Sequence, residues 1–492
     1  MKPRVLLVYP GRRSGLFPEL PLPLLYLAWA LRKEGIEVDV HDMRILDNAD
    51  ITRTDYLFVG ISIMTGPMIS DALACAARVR QINPRTPIVW GGIHVTLLPE
   101  QSLQHSLVDI VVRGEGEHTV QELAHALLQG TDLSSVKGLN FKRDGMMIAT
   151  PDREFMSLDE IDIELPYDLF VLDRYAFPAF PVHTSRGCPY RCGFCYNTAF
   201  NKRTWRYKSV EHVLDEIEYV VRRFNPRRVS FTWEDEFFIN IERIRNICEG
   251  IARRGIKIEW ESFCRFDSFR KVDDDLLALL ERSGCVCLSF GGESGSQRIL
   301  DEIIRKDIKV EYMVDATRRL SSTRVRQIVS FMSGLPTETD EDMSKTFALM
   351  DTLVSINPRI YFNGIFLYTP YPGTVLYDRV VSEFHYRPPQ SLEEWATFGI
   401  YRNVGATWQT PAYIRKYKTV SIMTRFPFWR QRMTLADARD AVGASRLARF
   451  PFNIAYLIFS WLAILRWRRR FFRFPIEWIL LEKLLERLRG FI

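Results

Sequence analysis

The sequence predicts an α/β protein: a Rossmann-like domain, then a partial (β/α)6 barrel, then a helical, basic C-terminal region. Three observations predict this fold class. The chain has 492 residues, too many for one ordinary core. Short apolar strands alternate with amphipathic helices through most of it. Positive charge is concentrated towards its end.

Composition and charge narrow the class of protein. Apolar residues make up 47% of the chain and charged residues 26%, a globular balance that excludes a disordered protein. The net charge is +6. From residue 401 onward 18 Lys and Arg face 5 acidic residues, so the excess of 13 leaves residues 1–400 at 6 − 13 = −7. The amino-terminal segment has no secretory signal pattern, so we expect a cytoplasmic protein.

Residues 1–140 form the first predicted domain. Strands are predicted at 4–9, 36–41, 56–62, 87–91 and 108–113, and helices at 20–33, 69–82, 99–105 and 119–129. This alternation favours an open parallel sheet with ligands at the carboxyl ends of its strands. Residues 10–15 lack the GxGxxG spacing, so dinucleotide binding is weakly supported.

Residues 141–176 are predicted to be a connector, and residues 177–388 a second domain. Six strands are expected in it, near Val182, Val229, Ile258, Val286, Val325 and Ile360. Six strand-helix units suit a partial barrel, in which chemistry takes place at the carboxyl ends of the strands. The polar motifs of this region fall at those ends.

A cysteine motif lies near the start of the second domain. Cys188, Cys192 and Cys195 have CxxxCxxC spacing, so one short loop can present three thiolates to a common point. Thiolates select iron–sulfur clusters, zinc or cuprous copper. A 4Fe–4S cluster held by only three cysteines leaves one iron free for a small molecule. We therefore expect these cysteines to be metal ligands and catalytic.

Two other interpretations of the motif are weaker. A zinc site normally takes a fourth Cys or His at regular spacing, and this motif supplies three cysteines. A disulfide framework is disfavoured by the odd number. The remaining cysteines lie scattered in apolar runs, where free Cys packs as a small hydrophobe, as is usual in a reducing compartment.

The stretch Thr184–Cys195, TSRGCPYRCGFC, with Phe194 before the last cysteine, resembles the radical S-adenosylmethionine superfamily. It is most similar to the family with an amino-terminal cobalamin-binding domain, which includes class B C-methyltransferases and the anaerobic magnesium-protoporphyrin ester cyclase. The resemblance covers roughly residues 1–385. In the second domain, five strand ends match motifs of the family in the same order along the chain. It implies three cofactors: a 4Fe–4S cluster, S-adenosylmethionine and cobalamin.

The resemblance also implies roles for individual residues. Glu234 and Asp235 would receive the methionine amino group, Arg265 the carboxylate, and Glu293 the ribose or amino group. Phe194, Gly334 and Pro336 would complete this site, the last two in an apolar turn against adenine. The implied cobalamin contacts are Ser62, Thr65, Gly91, Gly92 and His94.

The cobalamin resemblance has one departure. Many cobalamin proteins ligate cobalt through a histidine in DxHxxG, but residues 39–44 lack the glycine, so His41 is rejected as a ligand. We expect a lower cobalt face that is open or water-bound. Two alternatives remain: His94 satisfies backbone groups only, or the domain no longer holds cobalamin.

The implied activity is reductive cleavage of S-adenosylmethionine to a primary carbon radical, with electrons from a partner such as flavodoxin or ferredoxin. Methylcobalamin would then methylate an unactivated carbon of a lipophilic small molecule. One alternative is radical cyclisation or rearrangement without methyl transfer. Another is a noncatalytic iron–sulfur protein.

Residues 389–492 form the predicted basic, amphipathic C-terminal region. The apolar run 450–465 is bracketed by arginines but is shorter than the ~20 residues that span a bilayer. It favours an interfacial segment at the inner face of the cytoplasmic membrane, with contact through residues 450–489. The boundary aromatics would be Trp461, Trp467, Phe471, Phe472 and Trp478, and 477–489 would add a second amphipathic helix. A pair of helices capping the barrel is the alternative, and nucleic-acid binding is disfavoured because aliphatic residues interleave the basic ones.

Overall fold

A computed structural model describes residues 2–12, 18–175, 179–399, 405–424, 461–474, 476 and 479–480. The first domain contains the strands β1 (Arg4–Tyr9), β2 (Glu37–Asp42), β3 (Phe58–Ser62), β4 (Ile88–Gly91), β5 (Ile110–Val112), β6 (Leu139–Arg143) and β7 (Met146–Ala149). Its helices are α1 (Leu22–Lys33), α2 (Met68–Ile82), α3 (Ile93–Leu97), α4 (Pro99–Gln104) and α5 (Glu117–Gln129). These elements confirm the predicted alternation.

The first sheet has the strand order β2-β1-β3-β4-β5-β6-β7. Strands β1 to β5 are parallel, whereas β6 and β7 add an antiparallel edge. Helix α1 ends before Gly35, whose φ of +71° lets the chain reverse into β2. Because β1 to β5 are parallel, their carboxyl ends meet along one edge, where the predicted ligand loops lie.

The first sheet extends past the predicted domain boundary at residue 140. Strands β6 and β7 form a hairpin in what is predicted to be the start of the connector. Asp144 and Gly145 join them, with φ values of +51° and +78°. An Asp-Gly pair with two positive φ angles is typical of a tight hairpin turn, so the sequence did contain the signal for this hairpin.

The second domain begins with β8 (Phe180–Pro181), β9 (Ser185–Arg186) and β10 (Arg206–Tyr207). It continues with β11 (Arg228–Phe231), β12 (Glu259–Phe263), β13 (Cys285–Glu293), β14 (Arg326–Ser333) and β15 (Tyr361–Leu367). Strands β8 and β11 to β15 form a six-stranded parallel sheet in chain order, while β9 and β10 pair separately. The predicted partial barrel and the α/β fold class are confirmed.

Helices separate the barrel strands. They are α6 (Asn197–Phe200), α7 (Val210–Phe224), α8 (Ile241–Arg253), α9 (Phe266–Phe269), α10 (Asp274–Arg282), α11 (Val310–Ser321), α12 (Asp340–Ile356) and α13 (Val375–Glu383). Side-chain caps start several of them: the Ser209 hydroxyl accepts from the His212 amide at α7, and the Asn240 amide oxygen accepts from the Arg243 amide at α8.

The first described part of the C-terminal region, residues 389–399 and 405–424, is here called the strap. It contains α14 (Leu392–Ala396) and α15 (Pro411–Met423). Helix α14 lies on the first domain, where the Trp395 indole donates to the Gln101 side-chain oxygen at 2.6 Å. Helix α15 lies on the barrel, where the Tyr417 hydroxyl accepts from the Leu367 amide at 3.0 Å. The strap therefore contacts both domains.

Two aromatics predicted at a membrane boundary are buried against the barrel instead, which corrects that part of the prediction. The ring centroid of Trp467 lies 5.0 Å from that of Phe347 in α12, and the Phe472 ring lies 5.2 Å from it. The Trp467 indole also donates to Asp351 at 2.8 Å. Packing of an aromatic with a satisfied N–H explains this burial.

The other aromatic residues predicted to contact the membrane are exposed or lie outside the described residues. Trp461 is 63% exposed and Phe471 45% exposed. Most of the run 450–465, Trp478 and nearly all of 477–489 lie outside the described residues. Among the described residues, none of the helices has the length and apolar character needed to cross a bilayer. Peripheral membrane contact stays a prediction.

Candidate functional site

The three cysteines of the motif lie in a loop closed by a short ladder. The loop, residues 187–205, runs between β9 and β10, which pair Arg186 with Arg206. Gly187 begins it with a φ of +86°, and a Cβ atom there would lie 1.9 Å from the Thr204 carbonyl oxygen. Only glycine fits this close approach, so both ends of the cysteine loop are fixed.

Cys188, Cys192 and Cys195 occupy one partly buried site in this loop. Burial raises the pKa of Cys188 and of Cys195 to about 12, and the neighbouring cysteines add to the increase. A bound cation would be needed to keep such thiols ionised. Among the described residues, no group of three or more His, Cys, Asp or Glu is arranged to hold a metal ion. Three cysteines in one loop are the number of ligands expected for an iron–sulfur cluster with one open iron.

Arg265 lies against the cysteine loop. Its guanidinium lies 3.3 Å from Cys192 Sγ and donates to the Lys306 carbonyl oxygen at 2.6 Å. It also pairs with Asp267 and stacks 3.7 Å from the centroid of the Tyr190 ring. The structure thus brings this predicted S-adenosylmethionine contact next to the thiols, in a planar, multiply bonded geometry that lysine could not reproduce.

The acidic run after β11 holds the start of the cysteine loop. Glu234 accepts hydrogen bonds from the Thr184 amide at 2.6 Å and the Ser185 hydroxyl at 2.5 Å, and burial raises its pKa to about 7. Asp235 accepts from the Gly187 amide at 2.8 Å and the Tyr196 hydroxyl at 2.9 Å. Both predicted residues therefore position the loop, and their contact with a methionine amino group stays a prediction.

A third carboxylate of the same run, Glu236, is missing from the predicted site. It accepts from the amides of Arg265 and Phe238, and burial raises its pKa to about 7. Its electrostatic effect also reaches Cys188. The acidic run was visible in the sequence, but periodicity could not show that Asp235 acts on Cys195 and Glu236 on Cys188.

Glu293 ends β13 in a left-handed backbone conformation, with φ +60°. Its carboxylate lies 2.5 Å from the ammonium of Lys306, and both side chains are at least 90% buried. Lys306 is a second residue that the sequence did not reveal, because nothing local marks it as the partner of Glu293. A role of Glu293 in cofactor binding stays a prediction.

Gly334 lies in a turn after β14 with φ +77°. Its amide donates to Glu338 at 2.6 Å, and its carbonyl oxygen accepts from the Trp408 indole and the Gln409 side chain of the strap. Pro336 lies in the same turn. Phe194 lies in the cysteine loop and packs, partly buried, against the core. The adenine contacts stay predictions, but strap residues clearly fix this turn.

A largely apolar cavity of about 410 Å³ lies between the two domains. Ser62, Gly91 and Gly92, three of the predicted cobalamin contacts, line it at the carboxyl ends of the first sheet. The barrel contributes His183, Arg186, Tyr196, Phe200, Asn201, Trp233 and Asp235. A Cβ atom at Gly114, also in the lining, would meet no atom within 4 Å. Glycine at such a position leaves room for a ring system close to the backbone, which fits a corrin nucleotide tail.

Two other predicted cobalamin contacts lie outside this lining. The Thr65 hydroxyl lies 3.0 Å from Nδ1 of His94, and the His94 ring packs edge-on against Trp395 at 5.5 Å. His94 is fully buried, and burial lowers its pKa to about 4, so the ring is neutral. This placement favours a packing role for His94.

Comparison with known proteins agrees with this geometry. The B12 binding domain family matches residues 15–124, and the radical SAM superfamily matches residues 182–350. An uncharacterized methyltransferase of Pyrococcus horikoshii is 33% identical over 400 residues, covering 77% of this chain and 83% of that protein. The chain belongs to the cobalamin-binding radical S-adenosylmethionine family.

Two further comparisons describe the breadth of this family. The anaerobic magnesium-protoporphyrin IX monomethyl ester cyclase of Rubrivivax gelatinosus is 28% identical over 404 residues, covering 77% of this chain and 70% of that enzyme. The solved structure of the radical S-adenosylmethionine methyltransferase TsrM from Kitasatospora setae, with cobalamin and a 4Fe–4S cluster bound, has a TM-score of 0.66 at 20% identity. The matched region covers 78% of this chain and 75% of TsrM.

The family assignment confirms the predicted combination of domains. It also confirms the predicted cofactors, which are an iron–sulfur cluster, S-adenosylmethionine and cobalamin, and it identifies the protein as a radical S-adenosylmethionine enzyme. The contacts of individual residues with these cofactors stay predictions.

Proposed function

We propose that this radical S-adenosylmethionine enzyme methylates an unactivated carbon of a lipophilic small molecule. One observation carries the proposal: the cavity that fits cobalamin and the cysteine loop share residues. Asp235 accepts from the Gly187 amide at the start of the cysteine loop and also lines the cavity. Arg186, which precedes that glycine, lines the same cavity. The cavity and the cysteine loop are adjacent, which supports two neighbouring cofactor sites.

The chain's own residues bind, orient and exclude water. Cys188, Cys192 and Cys195 would hold the cluster, and the buried guanidinium of Arg265, which also pairs with Asp267, lies beside Cys192. When bound, a 4Fe–4S cluster supplies the electron that splits S-adenosylmethionine, and cobalamin supplies a methyl group. The burial of Glu234, Glu236 and Arg265 favours a site from which water is excluded.

A lipophilic substrate is supported by the family comparison. The relative from Rubrivivax gelatinosus is named for a magnesium-protoporphyrin ester, which is a large apolar macrocycle. The same relative favours a second candidate function, a radical cyclisation without methyl transfer. The two reactions differ in their nucleoside products, since methyl transfer leaves S-adenosylhomocysteine.

The test uses the full chain, purified anaerobically, with reconstituted cluster, hydroxocobalamin and a flavodoxin or ferredoxin as electron donor. We expect 5′-deoxyadenosine together with S-adenosylhomocysteine, whereas 5′-deoxyadenosine alone would support cyclisation. The Cys192→Ala variant should lose the cluster absorbance and all cleavage, because one of three ligands is gone. Cys248→Ala is the matched control, since that thiol is buried in α8 outside the loop.

Contrary outcomes are well defined. A wild-type protein that holds its cluster but cleaves no S-adenosylmethionine under reduction would be a noncatalytic iron–sulfur protein. Cleavage retained in Cys192→Ala would overturn the assignment of the cysteine loop.

A further inference from the structure

The base of the cysteine loop carries two opposed positive charges. In the ladder of β9 and β10, Arg186 lies directly opposite Arg206, and these two residues bracket the cysteine loop, 187–205. Like charges placed directly opposite each other destabilise an antiparallel pair. Their side chains are only 11% and 16% exposed, so water does little to screen the repulsion. The ladder needs negative charge from elsewhere.

The first domain supplies that charge. Glu115 lies 3.1 Å from the guanidinium of Arg186 and 2.6 Å from that of Arg206, while Glu117 lies 2.7 Å from Arg186. The glutamate side chains are 11% and 6% exposed. Removing one member of such a buried set leaves an uncompensated charge, which is strongly unfavourable. The two ends of the cysteine loop are thus held through the first domain.

The same glutamates belong to the wall of the cobalamin cavity. Gly114, Glu115, Gly116 and Glu117 all line it, at the turn between β5 and α5. An occupant of the cavity therefore contacts the segment that carries both carboxylates. A ligand that restricts the motion of residues 114–117 reduces the conformational entropy lost when the two carboxylates are held against the two arginines.

Resting on the proposed function, we infer that Glu115 and Glu117 couple occupancy of the cobalamin cavity to retention of the cluster by the cysteine loop. They act as positioning residues, since they reach the thiols only through Arg186 and Arg206. A coupling between two binding sites is reciprocal, so the cluster must raise cobalamin affinity by the same factor that cobalamin raises cluster affinity.

The test follows loss of the cluster absorbance to an iron chelator, anaerobically, with and without saturating hydroxocobalamin. In the wild type we expect hydroxocobalamin to slow the loss about fivefold or more. In Glu117→Gln and Glu115→Gln, which keep side-chain size, this ratio should approach one. Replacing a residue that merely stabilised the fold would change the rates of cluster loss with and without hydroxocobalamin by the same factor, so the ratio of these two rates would not change.

Lys202→Ala is the matched control. Lys202 lies in the same loop and pairs with Asp152 at 2.8 Å, but both side chains are about 60% exposed. Such exposed pairs contribute little, so the wild-type ratio should persist. The reverse measurement is the dissociation constant of hydroxocobalamin with and without the cluster, which should be lower with the cluster in the wild type and independent of the cluster in the glutamine variants.

The outcomes separate this inference from the proposed function. If the wild type binds both groups independently, or if the glutamine variants keep the wild-type ratio, the coupling is wrong while the activity stands. If the wild type binds neither group, the proposed function fails and the coupling fails with it. Neither measurement depends on S-adenosylmethionine turnover.

Discussion

Glu293 and Lys306 form a buried ion pair beside the candidate site, at the end of β13. Their carboxylate and ammonium lie 2.5 Å apart, with side-chain exposures of 10% and 7%. Desolvation of both charges offsets much of their attraction, so the pair as a whole adds little stability. Removing only one partner destabilises the protein, since the other charge then stays buried without a partner.

We therefore expect Lys306→Met to lower the free energy of unfolding by roughly 3–5 kcal/mol, measured by urea denaturation. The double variant Glu293→Gln/Lys306→Met should recover most of this loss, because no unpaired charge remains. Arg191→Met is a matched control, since its pair with Asp307 is 63% and 47% exposed. A double variant no more stable than Lys306→Met would contradict this account.

Single residues differ in how far the sequence could assign them. The cysteines were predictable because their spacing is local and their chemistry is narrow. Lys306 was not, since it becomes the partner of Glu293 only when the loop after β13 folds back. His94 shows the opposite limit: it follows β4 as expected, yet its ring contacts Thr65 and Trp395 within the protein. Strand position is encoded locally, whereas side-chain partners depend on tertiary packing.

At the scale of elements, α15 and the residues before it act on a turn of the barrel. The Gln409 side chain donates to the carbonyl oxygens of Gly334 at 2.9 Å and Tyr368 at 3.0 Å, and it is 3% exposed. The Tyr413 hydroxyl lies 2.9 Å from Glu338, which also accepts from the Gly334 amide. The turn predicted to contact adenine is thus held from both sides.

Gln409→Ala should weaken S-adenosylmethionine binding to the reconstituted protein about tenfold, since the Tyr368 carbonyl loses its Gln409 donor, the Gly334 carbonyl keeps only the Trp408 indole, and the turn loosens. Hydroxocobalamin affinity should not change, because neither Gln409 nor the two residues whose carbonyls it bonds line the cavity. Gln390→Ala, which removes an exposed side chain of the strap that donates to the Pro388 carbonyl, serves as the control in the same titration. Equal weakening in both variants would show that the strap, and not this contact, is responsible.

Elements were largely predictable because hydrophobic periodicity is a local signal. All the parallel strands of both sheets lie where apolar runs between turns placed them. The β6 and β7 hairpin was missed although Asp144 and Gly145 marked it, because a connector was expected there. The strap was predicted only as helical and basic, since the contact of Trp395 with Gln101 joins residues 294 positions apart.

At the scale of the whole molecule, the strap ties the domains together. Trp395 is 1% exposed, packs on His94 and Phe398, and bonds Gln101 in the first domain. Farther along, α15 contacts the barrel through Tyr417. The chain thus crosses from barrel to first domain and back, so we expect the two domains to unfold together.

Trp395→Ala should lower the free energy of unfolding by about 3–5 kcal/mol and split the single calorimetric transition into two. The physical reason is loss of a fully buried indole that joins the strap to the first domain. Limited proteolysis should then cut within residues 389–399. Glu393→Gln, which affects only a partly exposed pair with His105, should keep one transition. A single transition in Trp395→Ala would mean that other contacts join the domains.

The ladder at the base of the cysteine loop has a consequence for protein engineering. Each half of this molecule looks modular, and exchanging one half between relatives is an obvious way to mix specificities. The paired Arg186 and Arg206 make such a chimera conditional. Any donor of the first half must bring acidic side chains to the positions of Glu115 and Glu117. Otherwise Arg186 and Arg206 of the recipient would be buried at the ends of the cysteine loop without these negative partners.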